Sequence, residues 1–156
     1  MSHHLAQLNV GRFLGPIDSP VMAGFAALLE PLNALADDAP GFVWRLQTDA
    51  GDAIAVEWPG DPTVNVNLSV WTSLQALRDY VYATRHLEAL RRRREWFQHH
   101  LEHYQVLWWI PAGRLPTVQE AQERLALLTE RGPTPEAFTF RATFPAPNAA
   151  GLPGRT

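Results

Sequence analysis

Val64-Asn65-Val66-Asn67-Leu68-Ser69-Val70-Trp71 alternates an aliphatic residue with a polar or aromatic one over its whole length. Successive side chains of an extended strand point to opposite faces, so this octapeptide predicts a strand with two unlike sides. One side is purely aliphatic; the other carries two carboxamides, a hydroxyl and an indole. Leu5 to Arg12 repeats the pattern, with Ala6, Leu8 and Val10 on one side and Gln7 and Asn9 on the other.

Outward from this strand toward the C terminus, Thr72 and Gln75 read as a capping box opening a helix with an inner stripe of Leu74, Leu77, Tyr80 and Val81. A second helical segment is predicted over 85–97. Tyr104 to Ile110 is an aromatic-rich strand closed by Pro111-Ala112-Gly113, and Thr117 with Glu120 caps a third helix carrying Val118, Ala121, Leu125 and Leu128. Gly132-Pro133 ends it, and Ala137 to Phe144 reads as a last strand. Residues 145–156, dominated by proline, glycine and alanine, are expected to be a disordered tail, leaving a single domain over 1–144.

Toward the N terminus, Phe42 to Gln47 reads as a strand after the Pro40-Gly41 break, with a short added strand over Ala53 to Trp58. Ser19 followed by Pro20 opens a helix with an apolar stripe at Met22, Phe25, Leu28, Leu29, Leu32 and Leu35, which Pro31 should kink. The first six elements run strand, helix, strand, strand, helix, strand. That order predicts an α+β, ferredoxin-like antiparallel sheet with helices on one face. The even-numbered, aliphatic side is expected to meet the helices. Gln7, Asn9, Asn65, Asn67, Ser69 and Trp71 then line a cavity on the other side, sheltered when two copies pack sheet to sheet as a homodimer.

The 156 residues are 46% apolar and 19% charged, a globular composition. A net charge of -3 gives no electrostatic reason to expect nucleic acid. Without cysteine, disulfides and thiolate zinc sites are excluded. No apolar run approaches the roughly 20 residues that span a bilayer, and no secretory segment is visible at the start, so a cytoplasmic protein without a membrane partner is expected.

Several side chains invite chemistry. His86, Leu90, Arg93 and Phe97 share one helical face. An imidazole there suits ligation of a haem iron, with arginines pairing the propionates, or service as a general base. A histidine bonded to a backbone carbonyl is the plain alternative. Arg91 to Arg94 circle the helix, so at most two can face a pocket. His99, His100 and His103 lack an accompanying carboxylate motif and read as surface residues, as do His3 and His4. Arg45, by parity with Val43 and Gln47, belongs on the cavity face and there needs an anionic partner, a carboxylate or a ligand acid.

His4-Leu5-Ala6-Gln7-Leu8-Asn9, Gly41-Phe42-Val43-Trp44-Arg45-Leu46, Val66-Asn67-Leu68-Ser69-Val70-Trp71, Arg91-Arg92-Arg93-Arg94-Glu95-Trp96-Phe97, Val106-Leu107-Trp108-Trp109 and Gly132-Pro133-Thr134-Pro135-Glu136-Ala137-Phe138-Thr139-Phe140 together resemble a bacterial family of unknown function. The resemblance implies a dimeric α+β barrel. The helix with His86, the arginines and Trp96-Phe97 is similar to a stretch of the haem-dependent spheroidene monooxygenases. Asn9, and Val70-Trp71 before a helix, look like the antibiotic-biosynthesis and haem-degrading monooxygenases. Those enzymes place an asparagine, a tryptophan and a histidine around substrate. Asn9 matches, but their tryptophan falls near Tyr80 or Val81 and their histidine near Leu90 or Arg91.

The expectation that emerges is a pocket for an apolar or aromatic small molecule. Asn67, Trp71, Tyr80, Trp109 and Arg45 would touch substrate, Asn9 and His86 would act on it, and His86, Arg93 and Trp96 would hold haem in a monooxygenase-like version. A non-catalytic binding protein, or a cofactor-free isomerase or cyclase using His86 as base, are the alternatives.

Overall fold

The two alternating segments are neighbours at the centre of the sheet. In a computed structural model that describes residues 2–16, 19–47, 58, 64–82, 92, 95–96 and 104–147, β1 (His3–Arg12) pairs antiparallel with β3 (Val64–Trp71). The register runs from Leu5 opposite Trp71 to Arg12 opposite Val64, so odd residues face odd and even face even. Gln7 therefore lies across from Ser69 and Asn9 across from Asn67. A slip of one residue would mix aliphatic and polar sides, which is why so regular a pattern specifies a single pairing.

β4 (Gln105–Pro111) adds to the free side of β1 and β2 (Phe42–Arg45) to β3, giving the order β2-β3-β1-β4 with every pair antiparallel. α1 (Ala23–Asp38) links β1 to β2, and α2 (Leu74–Val81) lies between β3 and β4 in sequence. This is the ferredoxin-like, α+β arrangement expected.

The helices, however, lie on the other side of the sheet from the one expected. α1 and α2 pack on the odd-numbered side, where Leu5, Trp71 and Leu107 meet Ala36, Leu77 and Val81. The aliphatic even side packs against α3 (Val118–Arg131) through Ala121 and Leu128, with Ala6, Leu8, Leu68 and Val106 all buried. The Trp108 indole N–H donates to Glu120 of α3 at 2.9 Å, and Arg114 pairs with the same carboxylate at 2.6 Å. Both faces are thus covered by helices of the same chain. Alternation distinguishes two sides but does not say which helix each receives.

Local details also differ from expectation. The cap of α2 is Ser73, whose hydroxyl accepts from the Ala76 N–H at 3.0 Å, rather than Thr72. Thr117 caps α3 as expected, accepting from the Glu120 N–H. A 3-10 turn, Pro20–Met22, precedes α1, which continues through Pro31. Ala137 to Phe144 does not form a strand. Phe138 exchanges two backbone bonds with Leu107, and the Thr134–Ala137 and Thr139–Ala142 bonds then curl the chain into turns. Thr139 reinforces the second turn, its hydroxyl accepting from Ala142 N–H, a local bond that competes with a ladder. The strand expected over Ala53 to Trp58 except Trp58, the helix over 85–97 except Arg92, Glu95 and Trp96, and residues 148–156 lie outside the described residues. Among the described residues no helix is long and apolar enough to cross a membrane.

Candidate functional site

β2 is short, and its irregularity matters. Phe42 pairs with Trp71 and Trp44 with Val70, so Val43 is an extra residue bulged out of the ladder. Strict alternation would put Phe42 and Arg45 on opposite faces. The bulge returns both to the odd side, where Phe42 packs edge-on to Trp71 and Arg45 reaches the sheet's polar strip, while Trp44 joins the aliphatic core. Gly41, at φ +83°, brings α2 close: a Cβ there would fall 2.4 Å from that of Ala76.

Between this polar strip and helices α1 and α2 lies a cavity of about 160 Å³. Its floor is a hydrogen-bonded relay. The Trp71 indole N–H donates to Ser69 Oγ at 2.8 Å. Gln7 Nε2 donates to the same hydroxyl oxygen at 2.8 Å and to Asn67 Oδ1 at 2.7 Å. An indole N–H can only donate, so the relay has a fixed sense at that end. Gln7 and Ser69 are buried and Trp71 is 1% exposed, whereas Asn67 at the other end is exposed, so the bonds fix a largely buried row of groups that opens to the cavity.

One wall is aromatic. Tyr80 stacks on Trp71 with ring centres 5.1 Å apart and planes 28° from parallel. Its hydroxyl donates to the Leu32 carbonyl of α1 at 3.0 Å. Burial pushes the phenol up to about 12, with Arg45 lowering and Asp37 raising it. Tyr80 is therefore neutral at physiological pH. Opposite, Arg45 is held by Asp37 of α1 through Nε to Oδ1 at 2.8 Å and Nη2 to Oδ2 at 3.3 Å. The fork geometry is that of a two-point guanidinium–carboxylate pair. Tyr82 and Tyr104 stand at the mouth, 60% and 38% exposed.

Seven residues expected from sequence to line a pocket thus converge: Gln7, Asn9, Arg45, Asn67, Ser69, Trp71 and Tyr80 all line one cavity, whereas Asn65 does not. Trp109 does not line it; its indole N–H donates to the Phe144 carbonyl at 2.9 Å, and the ring packs beside Phe138. Trp96 lies in a separate cluster with Met22, Phe13, Phe25 and Leu28, under the Arg92 guanidinium at 4.9 Å. It lines no part of the cavity. His86 and Arg93 lie outside the described residues. Asn33 and Gln105 line the cavity without having been nominated. Asn33 had a signal, since it stands one helical turn before Asp37 in a largely apolar helix.

The cavity as described, about 160 Å³, is smaller than a haem, and His86 and Arg93, expected to hold one, lie outside the described residues. A void near 150 Å³ accommodates about one benzene ring, and a porphyrin joins four pyrroles. The described lining presents no imidazole or thiolate to iron, and the neutral Tyr80 hydroxyl is already committed to Leu32. Among the described residues no group of histidine and carboxylate side chains is placed to hold a metal ion.

Solved structures with a similar chain path include a cofactor-independent oxygenase, SnoaB, from Streptomyces nogalater, with 17% identity over 72% of this chain and 96% of that one and a TM-score of 0.45. PA3566 from Pseudomonas aeruginosa has 15% identity over 74% and 98%, with a TM-score of 0.49. A putative antibiotic biosynthesis monooxygenase from Chloroflexus aurantiacus J-10-fl has 16% identity over 73% and 93%, with a TM-score of 0.37. At such levels the likeness carries nothing about chemistry. No curated protein matches the sequence. Residues 4–152 match the family described as "Domain of unknown function (DUF3291)", and the chain belongs to that family.

Proposed function

We propose that this chain binds a small aromatic molecule with polar substituents in the cavity between the sheet and helices α1 and α2. The observation that carries this reading is the Trp71–Ser69–Gln7–Asn67 relay running beside the stacked Trp71–Tyr80 pair. Stacked rings supply an apolar surface, and fixed carboxamides supply directed donors and acceptors, the combination expected of a small-molecule site.

Should the site be catalytic, its chemistry is orientation of the substrate. The described lining holds no carboxylate, imidazole or thiol to serve as base or nucleophile. Oxygenation then falls to an electron-rich substrate that reacts directly with dioxygen, a ring CH2 and O2 giving C=O and H2O. Asn9, Asn67 and Ser69 would hydrogen-bond the substrate's oxygens while Trp71 and Tyr80 hold its ring. An isomerase or cyclase reading needs His86 as base and draws no support from the described residues.

The test is calorimetric titration of the full chain with catechol, followed by oxygen uptake with ring substrates that carry an oxidisable CH2. Saturable binding that weakens at least tenfold in Trp71→Ala, and also in the gentler Asn67→Leu, is expected. Absence of binding to any single-ring phenol in the millimolar range would remove the pocket reading. Binding without oxygen uptake leaves a non-catalytic binding protein.

A further inference from the structure

The described lining of the cavity is rich in polar groups, yet among the described residues its charge is cancelled. Gln7, Asn9, Asn33, Asn67 and Gln105 contribute five carboxamides, and with the tyrosines and Ser69 none of these is charged. Arg45 is the cation of the described lining, its side chain 12% exposed, and Asp37 meets it at 2.8 Å. A ligand acid is therefore not needed to answer the guanidinium.

The position of Asp37 is informative in itself. It stands beside Asp38 in the last turn of α1, a turn without a basic residue. Carbonyl dipoles converge at a helix C terminus, so carboxylates there are unfavourable and cations are preferred. Helix stability therefore does not explain Asp37, and its two-point contact with Arg45 does.

Resting on the binding reading above, we infer that Asp37 is a specificity-determining residue: by neutralising Arg45 it makes the cavity select uncharged aromatic ligands over their carboxylated counterparts. A ligand carboxylate entering this cavity would lose its hydration and find carboxamides in its place, which do not offset a full charge. To reach Arg45 it would have to displace Asp37, which is joined to that side chain by two charged hydrogen bonds. The opposed influences of Arg45 and Asp37 on the Tyr80 phenol agree with this cancellation.

The probes are 3,4-dihydroxybenzamide and 3,4-dihydroxybenzoate, which share ring, hydroxyls and size and differ by one charge at pH 7. Calorimetry with the intact chain is expected to show the amide binding at least tenfold more tightly. In Asp37→Asn the carboxylate should gain about tenfold relative to the amide, the order of one charged hydrogen bond. In the double variant Asp37→Asn, Arg45→Gln that gain should disappear, because it arises from the released guanidinium. A general loss of packing would weaken both probes together and would not depend on Arg45. Equal binding of both probes to the wild type, or an unchanged ratio in Asp37→Asn, overturns the charge selection and leaves the pocket standing. Binding of neither probe overturns both.

Discussion

Ser69 shows how one hydroxyl can govern a site. Its oxygen accepts from both Trp71 and Gln7, so Ser69→Ala leaves an indole N–H and an amide N–H unpaired in a buried place. The expected cost is about 2–3 kcal/mol, read as a lower urea midpoint at unchanged slope. Ser69→Thr, which keeps the oxygen, should recover most of it. Tyr80 makes a pH prediction. Its phenol titrates near 10 in an unfolded chain and at about 12 here. The folded state therefore holds the proton between those values while the unfolded state releases it. Its share of stability is complete below pH 10 and falls as pH rises toward 12, by on the order of 2 kcal/mol. Tyr80→Phe should lose about 1 kcal/mol at neutral pH with the Leu32 bond, and should show a shallower decline between pH 10 and 11.5 in thermal melts.

Among the elements, β2 and its approach to α2 position the aromatic wall. Gly41 combines a left-handed backbone with a Cβ position already claimed by Ala76 and Thr72 Oγ1 at 2.4 and 2.7 Å. Gly41→Ala should therefore destabilise by roughly 3 kcal/mol, through backbone strain and overpacking together. Because α2 must back away, Tyr80 should also leave Trp71, and ligand affinity should fall even below the transition. Gly113, also at positive φ but with nothing within 4 Å of its Cβ position, is the control and should lose far less on the same change. The Val43 bulge was hidden in the sequence, because Phe42-Val43-Trp44-Arg45 has no alternation to interrupt. Parity with Val43 and Gln47 also puts Arg45 on the cavity side, but in the structure it is the bulge that brings Arg45 to the lining.

For the whole molecule, the decisive fact is that two different layers cover the sheet. Leu128 is fully buried where α3 meets the aliphatic side. Leu128→Ala should cost about 2–5 kcal/mol. Leu128→Asp should loosen α3 and expose the aliphatic strip, detected as concentration-dependent self-association in sedimentation velocity. A Leu128→Asp chain that stays folded with unchanged sedimentation would contradict the cover assigned to α3.

Strand pairing, sheet order and the gathering of amides on one side follow from features that are local to the backbone. A pleat alternates side chains whatever lies above it, and antiparallel register aligns like with like. Asn9, Asn67, Trp71 and Tyr80 could be brought together on that basis, two strands and one helical stripe sufficing. Which helix covers which side is a long-range packing choice, made by total buried area and by contacts such as Trp108 with Glu120. That choice turned the amide strip from a surface awaiting a second copy into the floor of a cavity within one chain. Trp109 and Trp96 stand outside that cavity, packed on Phe138 and in the Met22 cluster, since an indole signals a large buried ring without saying against what it is buried.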